Sequence, residues 1–342
     1  MLHHMKSLLL GALLVGSTQL SVHSAPPVGG AAMPAAMVPP PFMHWADTAS
    51  GRPFSKDPSV IRFGGRYLMY YSLPGAVGAA MQGWSVGIAE SQNLIDWKKL
   101  GEVLPAQECD KKGLAAPATW VHDGKVHLFY QTYGNGKKDA ICHAWSTNGM
   151  DFVRNPENPI FAPTGNWTAG RAIDAEVVPI GEKLFLYFAT RDPQMKTQML
   201  GVASAPLKSD YGRKQWTQLV DGPILKPELP WERDCIEAAS VTVHEGKLWM
   251  FYAGGYNNAP QQIGVAVSTN GIAWTRVSNQ PLVPNGPPGS WNSSESGHPG
   301  IFKDADGSFH LFYQANNDMG KTWYLSKVRI VWRNGIPTVA TD

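Results

Sequence analysis

Charge is scarce in this chain. Only 16% of its 342 residues are Asp, Glu, Lys or Arg, against about 25% in an average soluble protein. The 29 basic residues nearly balance the 27 acidic ones, leaving a net charge of +2. No basic run interleaved with aromatics occurs, so neither nucleic acid nor a membrane surface is expected as a partner, and an uncharged ligand is. Cysteine is equally sparse. Cys109, Cys142 and Cys235 are too few for a disulfide framework and lack a C-x-x-C spacing. Cys109 and Cys142 could pair if their strands are neighbours, but buried thiols are the expected state. His residues do not cluster with Cys or acids at zinc spacing, and His122, His127, His143, His244 and His310 fall on or beside strand patterns. No catalytic metal is therefore expected. Gly-rich phosphate loops and a Gly-x-Ser-x-Gly elbow are absent, which removes nucleotide and serine-hydrolase readings.

Long apolar runs are missing as well. Leu8 to Val15 is too short to cross a bilayer, and Lys6 stands ahead of it with small residues near Val22-His23-Ser24. Residues 1–24 thus read as a secretory signal and 25–41, rich in Pro, Ala and Gly, as a tether. An exported protein, secreted or periplasmic, is expected, with its folded part at 42–342. What the chain does have is apolar and aromatic: 43% of residues are hydrophobic and 13 are Trp, which excludes disorder. Exposed Trp rings suit the apolar faces of sugars. Trp45, Trp84, Trp120, Trp167 and Trp291 lie near loop or inner-strand positions, and Trp84 and Trp120 are the two expected to meet a ligand.

One pattern recurs five times. Each copy begins with a short apolar strand, makes a tight turn usually containing Gly, and continues into a strand rich in Tyr, Phe and Leu. A third strand of small and β-branched residues follows, then a Ser-x-Asn-Gly-like turn and an aromatic position. The copies start at Asp57, Pro117, Asp174, Glu237 and His298, separated by 60, 57, 63 and 61 residues. The third strands include Ser85-Val-Gly-Ile-Ala and Gln262-Ile-Gly-Val-Ala, and the closing strands carry Trp97, Phe152, Trp216 and Trp274. Four short antiparallel strands repeated at this period, with no room for long helices, predict an all-β, five-bladed propeller. A solenoid would need capping repeats and would not put a distinct polar residue at each unit's entry.

In a propeller the first strand of each blade lines the central channel, so the five starting residues converge on one mouth. Three of them are carboxylic acids in a chain poor in charge. Like charges in one cleft raise each other's pKa, a requirement of acid and base chemistry. Two carboxyl groups flanking a scissile bond are what glycoside hydrolysis needs. Any one of them alone could instead cap a strand end.

At this point the chain resembles glycoside hydrolase family 43 and its relatives in the five-bladed propeller clan, over roughly residues 42–331. The motifs are Lys56-Asp57-Pro58-Ser59-Val60, Ala116-Pro117, Ile173-Asp174, Glu237-Ala238-Ala239 and Gly297-His298-Pro299-Gly300. The resemblance implies that Asp57 is the general base, Glu237 the general acid, and Asp174 the residue that raises the acid's pKa and orients it. His298 would line the channel, where members of the family hold water or a calcium ion. No cofactor is required, and a structural calcium near His298 is compatible with the resemblance. Inversion is implied, with Asp57 and Glu237 roughly 6.5–9.5 Å apart. The sequence departs from the family in Ala115-Ala116-Pro117, where many members have Trp-Ala-Pro, and in Ala238-Ala239, where Gly-Pro is usual. The expected substrate is a plant or algal polysaccharide or oligosaccharide, with arabinofuranosidase- or xylosidase-like action by a monomer.

Other residues keep two readings. Arg171 could bind a substrate hydroxyl or carboxylate or form a structural ion pair, and Arg233-Asp234 has the same ambiguity. Glu176, two residues after Asp174, should share its face and is a second candidate for proton work or a buried hydrogen bond. Arg191-Asp192-Pro193 resembles a signature of fructan-cleaving relatives but follows a second strand, and reads as a turn. Asn166-Trp-Thr and Asn292-Ser-Ser match the glycosylation sequon, a pattern too common to carry weight. Two rivals stay open: a propeller phosphorylase, which needs several basic residues at the mouth, and a non-catalytic carbohydrate-binding propeller, which needs no acid triad.

Overall fold

A computed structural model describes residues 42–75 and 83–341. The expected signal segment and tether lie outside the described residues. Twenty strands form five four-stranded antiparallel sheets. Blade one holds β1 (Lys56–Phe63), β2 (Arg66–Leu73), β3 (Ser85–Ser91) and β4 (Lys98–Val103). Blade two holds β5 (Leu114–His122), β6 (Lys125–Thr132), β7 (Ile141–Ser146) and β8 (Val153–Arg154). Blade three holds β9 (Ile173–Ile180), β10 (Lys183–Arg191), β11 (Gln198–Pro206) and β12 (Thr217–Gln218). Blade four holds β13 (Ile236–His244), β14 (Lys247–Gly254), β15 (Gln262–Ser268) and β16 (Thr275–Arg276). Blade five holds β17 (Glu295–Lys303), β18 (Phe309–Asn316), β19 (Tyr324–Arg333) and β20 (Ile336–Val339). The first strands touch in a closed ring, β1 meeting both β5 and β17. The ring is fastened where Trp45 pairs with Leu325 of blade five through bonds of 3.0 and 2.8 Å. The propeller is therefore the fold, as the repeat predicts.

Local chemistry explains the repeat. The first hairpins of blades two and four close through Asp123-Gly124 (φ 46° and 69°) and Glu245-Gly246 (φ 48° and 72°), positive-φ pairs that match strand twist. The Ser-Thr-Asn-Gly turns form because the side chains replace ladder bonds. Ser146 Oγ accepts from Gly149 N at 2.9 Å and Asn148 Oδ1 from Met150 N at 2.8 Å, and Ser268 and Asn270 repeat the pattern. These turns also lock neighbouring blades. Tyr70 donates to Gly149 O at 2.8 Å and Tyr187 to Gly271 O at 2.9 Å, each pair crossing between blades. Glycine on the third strands has a packing cause: a Cβ on Gly87 would fall 2.2 Å from the Tyr71 ring, and one on Gly264 2.5 Å from Tyr252. Core clusters of such aromatics and β-branched residues fill the spaces around the channel. The closing aromatics Trp97, Phe152, Trp216 and Trp274 stand one residue ahead of the fourth strands.

Every first strand carries a bulge at the same place. Pairing slips between Lys56 and Ser59, Ala115 and Ala118, Glu237 and Ser240, and Gly297 and Gly300, and blade three slips opposite Tyr187 and Ala189. At the slip one residue adopts a left-handed conformation: Asp57 (φ 55°), Ala116 (47°), Asp174 (52°), Ala238 (53°) and His298 (49°). Such a non-Gly residue costs on the order of 1–3 kcal/mol, and bulges re-aim side chains. The preceding blade holds the strained amides in place. Gln314 Oε1 accepts from Asp57 N at 3.0 Å, Gln131 Oε1 from Asp174 N at 2.9 Å, and Ser72 Oγ from Ala116 N at 2.7 Å.

Candidate active site

The bulges bring Asp57, Asp174 and His298 to one level of the channel. Below that level these residues line a narrow cavity of about 140 Å³ together with Glu176, Ser59 and Ser240. Above it they line a mouth of about 230 Å³, which also takes in Glu237, Lys56, Trp84, Arg171, Arg191 and Gln198. All three predicted acids thus share one cavity. The equivalence of the five starting residues needs correcting in two blades, however. In blade two the left-handed position belongs to Ala116, so Pro117 lies one residue past it, and in blade four it belongs to Ala238, so Glu237 lies one residue before it.

That offset gives Glu237 different surroundings from the other two acids. It is 5% exposed, and Gln261 Nε2 donates to its Oε1 at 2.7 Å while Gln198 Nε2 donates to its Oε2. Burial raises its pKa above the ordinary carboxyl value, and the neighbouring Asp174 charge raises it further. Two amides therefore fix the orientation of a carboxyl group that is biased toward its protonated form. His298 Nε2 lies 3.3 Å from Asp57 Oδ1 and 3.4 Å from Asp174 Oδ1. Burial pulls its pKa down, but Asp57 and Asp174 more than offset this and carry it to about 9. At neutral pH an imidazolium sits between the two carboxylates. Asp174 Oδ2 is buried without a hydrogen-bond partner.

His298 Nε2 faces the two carboxyl groups that a cation beside it would share. Among the described residues no group of three or more His, Cys, Asp or Glu is arranged to hold a metal.

Of the residues expected to contact a ligand, Trp84 and Arg171 line the mouth. Trp84 packs its ring 4.9 Å from Tyr133 and 5.5 Å from Phe54. Trp120 is not brought there. Four residues beyond Ala116 on β5, roughly 13 Å along the strand, it stacks on His122 at 4.4 Å and lines a separate depression with Thr119, Phe302 and Lys303. Trp45 packs on Tyr71 at 5.0 Å, Trp167 against Phe188 at 6.5 Å and Trp291 against Tyr313 at 5.9 Å. Glu176 lies below the mouth. Its Oε1 accepts from Val241 N at 2.7 Å and Ser240 Oγ at 3.2 Å, and burial pushes its pKa up to about 8. It shares the channel face with Asp174, as strand alternation predicts, and it makes the buried hydrogen bonds. Arg233 is exposed and does not line the mouth.

The structure adds cations that the sequence reading passed over. Asp192 does form the turn, accepting from Met195 N at 2.9 Å, but Arg191 is the last residue of β10 and its side chain lines the mouth. Its Nε donates to Gln198 Oε1 at 3.0 Å, an atom that also accepts from Arg171 at 3.3 Å. Lys56, adjacent to Asp57, donates to Asn257 Oδ1 at 3.2 Å and lies 4.3 Å over the Trp323 ring.

A five-bladed propeller whose channel mouth gathers three carboxyl groups and a histidine defines a class of carbohydrate-active proteins. Within that class the chain belongs to the glycosyl hydrolases family 43, which matches residues 51–337. It is similar to a 1,2-beta-oligomannan phosphorylase of Thermoanaerobacter sp. (strain X514), at 26% identity over 222 residues, covering 62% of this chain and 67% of that protein. Among solved structures it is similar to a thermostable family-43 glycoside hydrolase, with a TM-score of 0.67 and 20% identity over 87% of this chain and 96% of that one. An endo-1,4-beta-xylanase from Bacteroides thetaiotaomicron VPI-5482 aligns with a TM-score of 0.66 and 20% identity, covering 84% and 94% of the two chains. An alpha-L-arabinofuranosidase from Lactobacillus brevis aligns with a TM-score of 0.64 and 16% identity, again covering 84% and 94%.

Proposed function

We propose that the protein is an exported glycosidase that hydrolyses O-glycosidic bonds of plant or algal poly- or oligosaccharides by single displacement. The observation that carries this reading is the pairing of a buried, amide-clamped Glu237, with its pKa raised, and Asp57 in the same mouth. Glu237 gives its proton to the leaving oxygen, and Asp57 takes a proton from the attacking water as the new bond to the anomeric carbon forms. Asp174 acts through its charge, holding the proton on Glu237. His298 offsets the charge of Asp57 and Asp174 and spaces their carboxylates. Trp84 at the rim offers an apolar face to a sugar ring.

The test is product analysis on arabinan, xylan, galactan and agar-type oligosaccharides, with Asp57→Asn as the blank. Reducing-end products formed by the wild type and lost in the variant support the reading. Binding across the panel without any product supports the non-catalytic rival. Proton NMR of the first-formed anomer distinguishes inversion from retention.

A further inference from the structure

The mouth holds more positive charge than the proposed acid–base chemistry uses. Lys56, Arg171, Arg191 and His298 line it beside Asp57, Asp174 and Glu237, and His298 is engaged with two of those acids. The other three cations are poorly matched. Arg171 is 13% exposed on its side chain and makes one long ion pair, its Nε lying 3.8 Å from Asp139 Oδ2, beyond hydrogen-bonding distance. That Nε is buried with no hydrogen-bond partner. Asp139 is itself bonded to Asn135 N at 3.0 Å and Thr132 Oγ1 at 3.3 Å. Arg191 contacts neutral groups, the Gln198 amide oxygen at 3.0 Å and the Tyr256 ring at 5.0 Å. Among the described residues neither Lys56 nor Arg191 makes an ion pair.

Three cations drawn together in a partly buried mouth with one long ion pair among them leave their positive charge incompletely matched. Two guanidinium groups meeting on one amide oxygen are also a fork suited to the two oxygens of a carboxylate or phosphate. We infer that Arg171 and Arg191, supported by Lys56, form an oxyanion subsite in the mouth. The inference rests on the proposed glycosidase reading only for what the anion is attached to. Two sources share this chemistry: the carboxylate of a uronic acid unit in the substrate, and inorganic phosphate. The position favours the first. Gln198 bridges both guanidinium groups to Glu237, and the acid must lie against the leaving oxygen, so the subsite lies on the leaving-group side. If phosphate is the source, the subsite must extend to the Asp57 face of the anomeric carbon, opposite the leaving oxygen, where one phosphate oxygen forms the new bond in place of water. The bond from that carbon to the leaving oxygen then breaks, and the leaving oxygen takes the Glu237 proton.

The test is equilibrium binding of D-glucuronate, inorganic phosphate and D-glucose to the full chain and to Arg171→Gln and Arg191→Gln. Arg191 is only partly buried, so its variant serves even if Arg171→Gln fails to fold. Charge-assisted hydrogen bonds of this kind correspond to roughly tenfold or more in affinity. At least one anion is expected to bind about tenfold tighter than glucose, and that preference is expected to fall about tenfold in either variant. Glucuronate preference assigns the subsite to a sugar carboxylate, and phosphate preference, with turnover that requires phosphate, assigns it to the nucleophile. Equal affinity for glucose and both anions, or an anion preference unchanged in both variants, overturns the inference. Binding needs no turnover, so an inactive protein that retains the anion preference refutes the glycosidase reading and leaves the subsite standing.

Discussion

Replacing His298 by Gln removes the cation between Asp57 and Asp174 while keeping a polar side chain of similar reach. Its magnitude can be worked from the charge geometry. The imidazole is 12% exposed on its side chain, with carboxylate oxygens at 3.3 and 3.4 Å, and its pKa is carried from 6.5 to about 9. At about 1.4 kcal/mol per pH unit this corresponds to on the order of 3 kcal/mol of folding stability. The pKa is raised in the folded state. The contribution is therefore fully present below pH 6.5 and is lost as pH rises through about 9. The assay is urea unfolding of wild type and variant at intervals between pH 6 and 10. The stability advantage of the wild type should shrink by on the order of 3 kcal/mol across that window. A difference between the two proteins that stays flat with pH would refute the charge assignment, because a purely steric role for the ring does not titrate.

Other expectations follow from neighbouring contacts. Asp174→Asn removes a charge that adds to burial in raising Glu237 while Asn tolerates the left-handed backbone, so the alkaline limb of the rate profile should move to lower pH. Cys109 and Cys142 hold their sulfurs 3.9 Å apart across 33 residues of sequence. Mild oxidation should lower the titratable thiols from three to one and raise stability by up to about 4 kcal/mol. Thiol titration and unfolding before and after oxidation check both. Gly264→Ala drives a Cβ into the Tyr252 ring and should cost about 1–3 kcal/mol of stability in urea. An unchanged midpoint would show that the ring can shift.

The propeller was legible because its turns and strands are chemically repetitive. Gly at 87 and 264 and the Ser-Thr-Asn-Gly turns at 146–149 and 268–271 recur for packing and hydrogen-bonding reasons that leave a period in the sequence. The left-handed bulges were not legible. Asp57, Ala116, Asp174, Ala238 and His298 share a backbone state with no common side chain, so counting from strand starts set Pro117 and Glu237 one residue out of step. Trp120 misled because proximity in sequence to Ala116 says nothing about which end of the strand faces the mouth. Arg191 was passed over because a strand's last residue and a turn's first look alike until the side chain's direction is known. Gln198, the first residue of β11, and Gln261, just ahead of β15, orient Glu237 from 39 and 24 residues away in sequence, and no local pattern links them to it.

The most direct test of the central claim is the leaving-group dependence of Glu237→Gln. If Glu237 supplies the leaving group's proton, kcat/KM for a substrate with a sugar leaving group should fall roughly 10²–10⁴-fold. An aryl glycoside whose leaving group needs no proton should lose far less. Equal losses on both substrates, or no loss on either, would contradict the assignment of Glu237 as the acid.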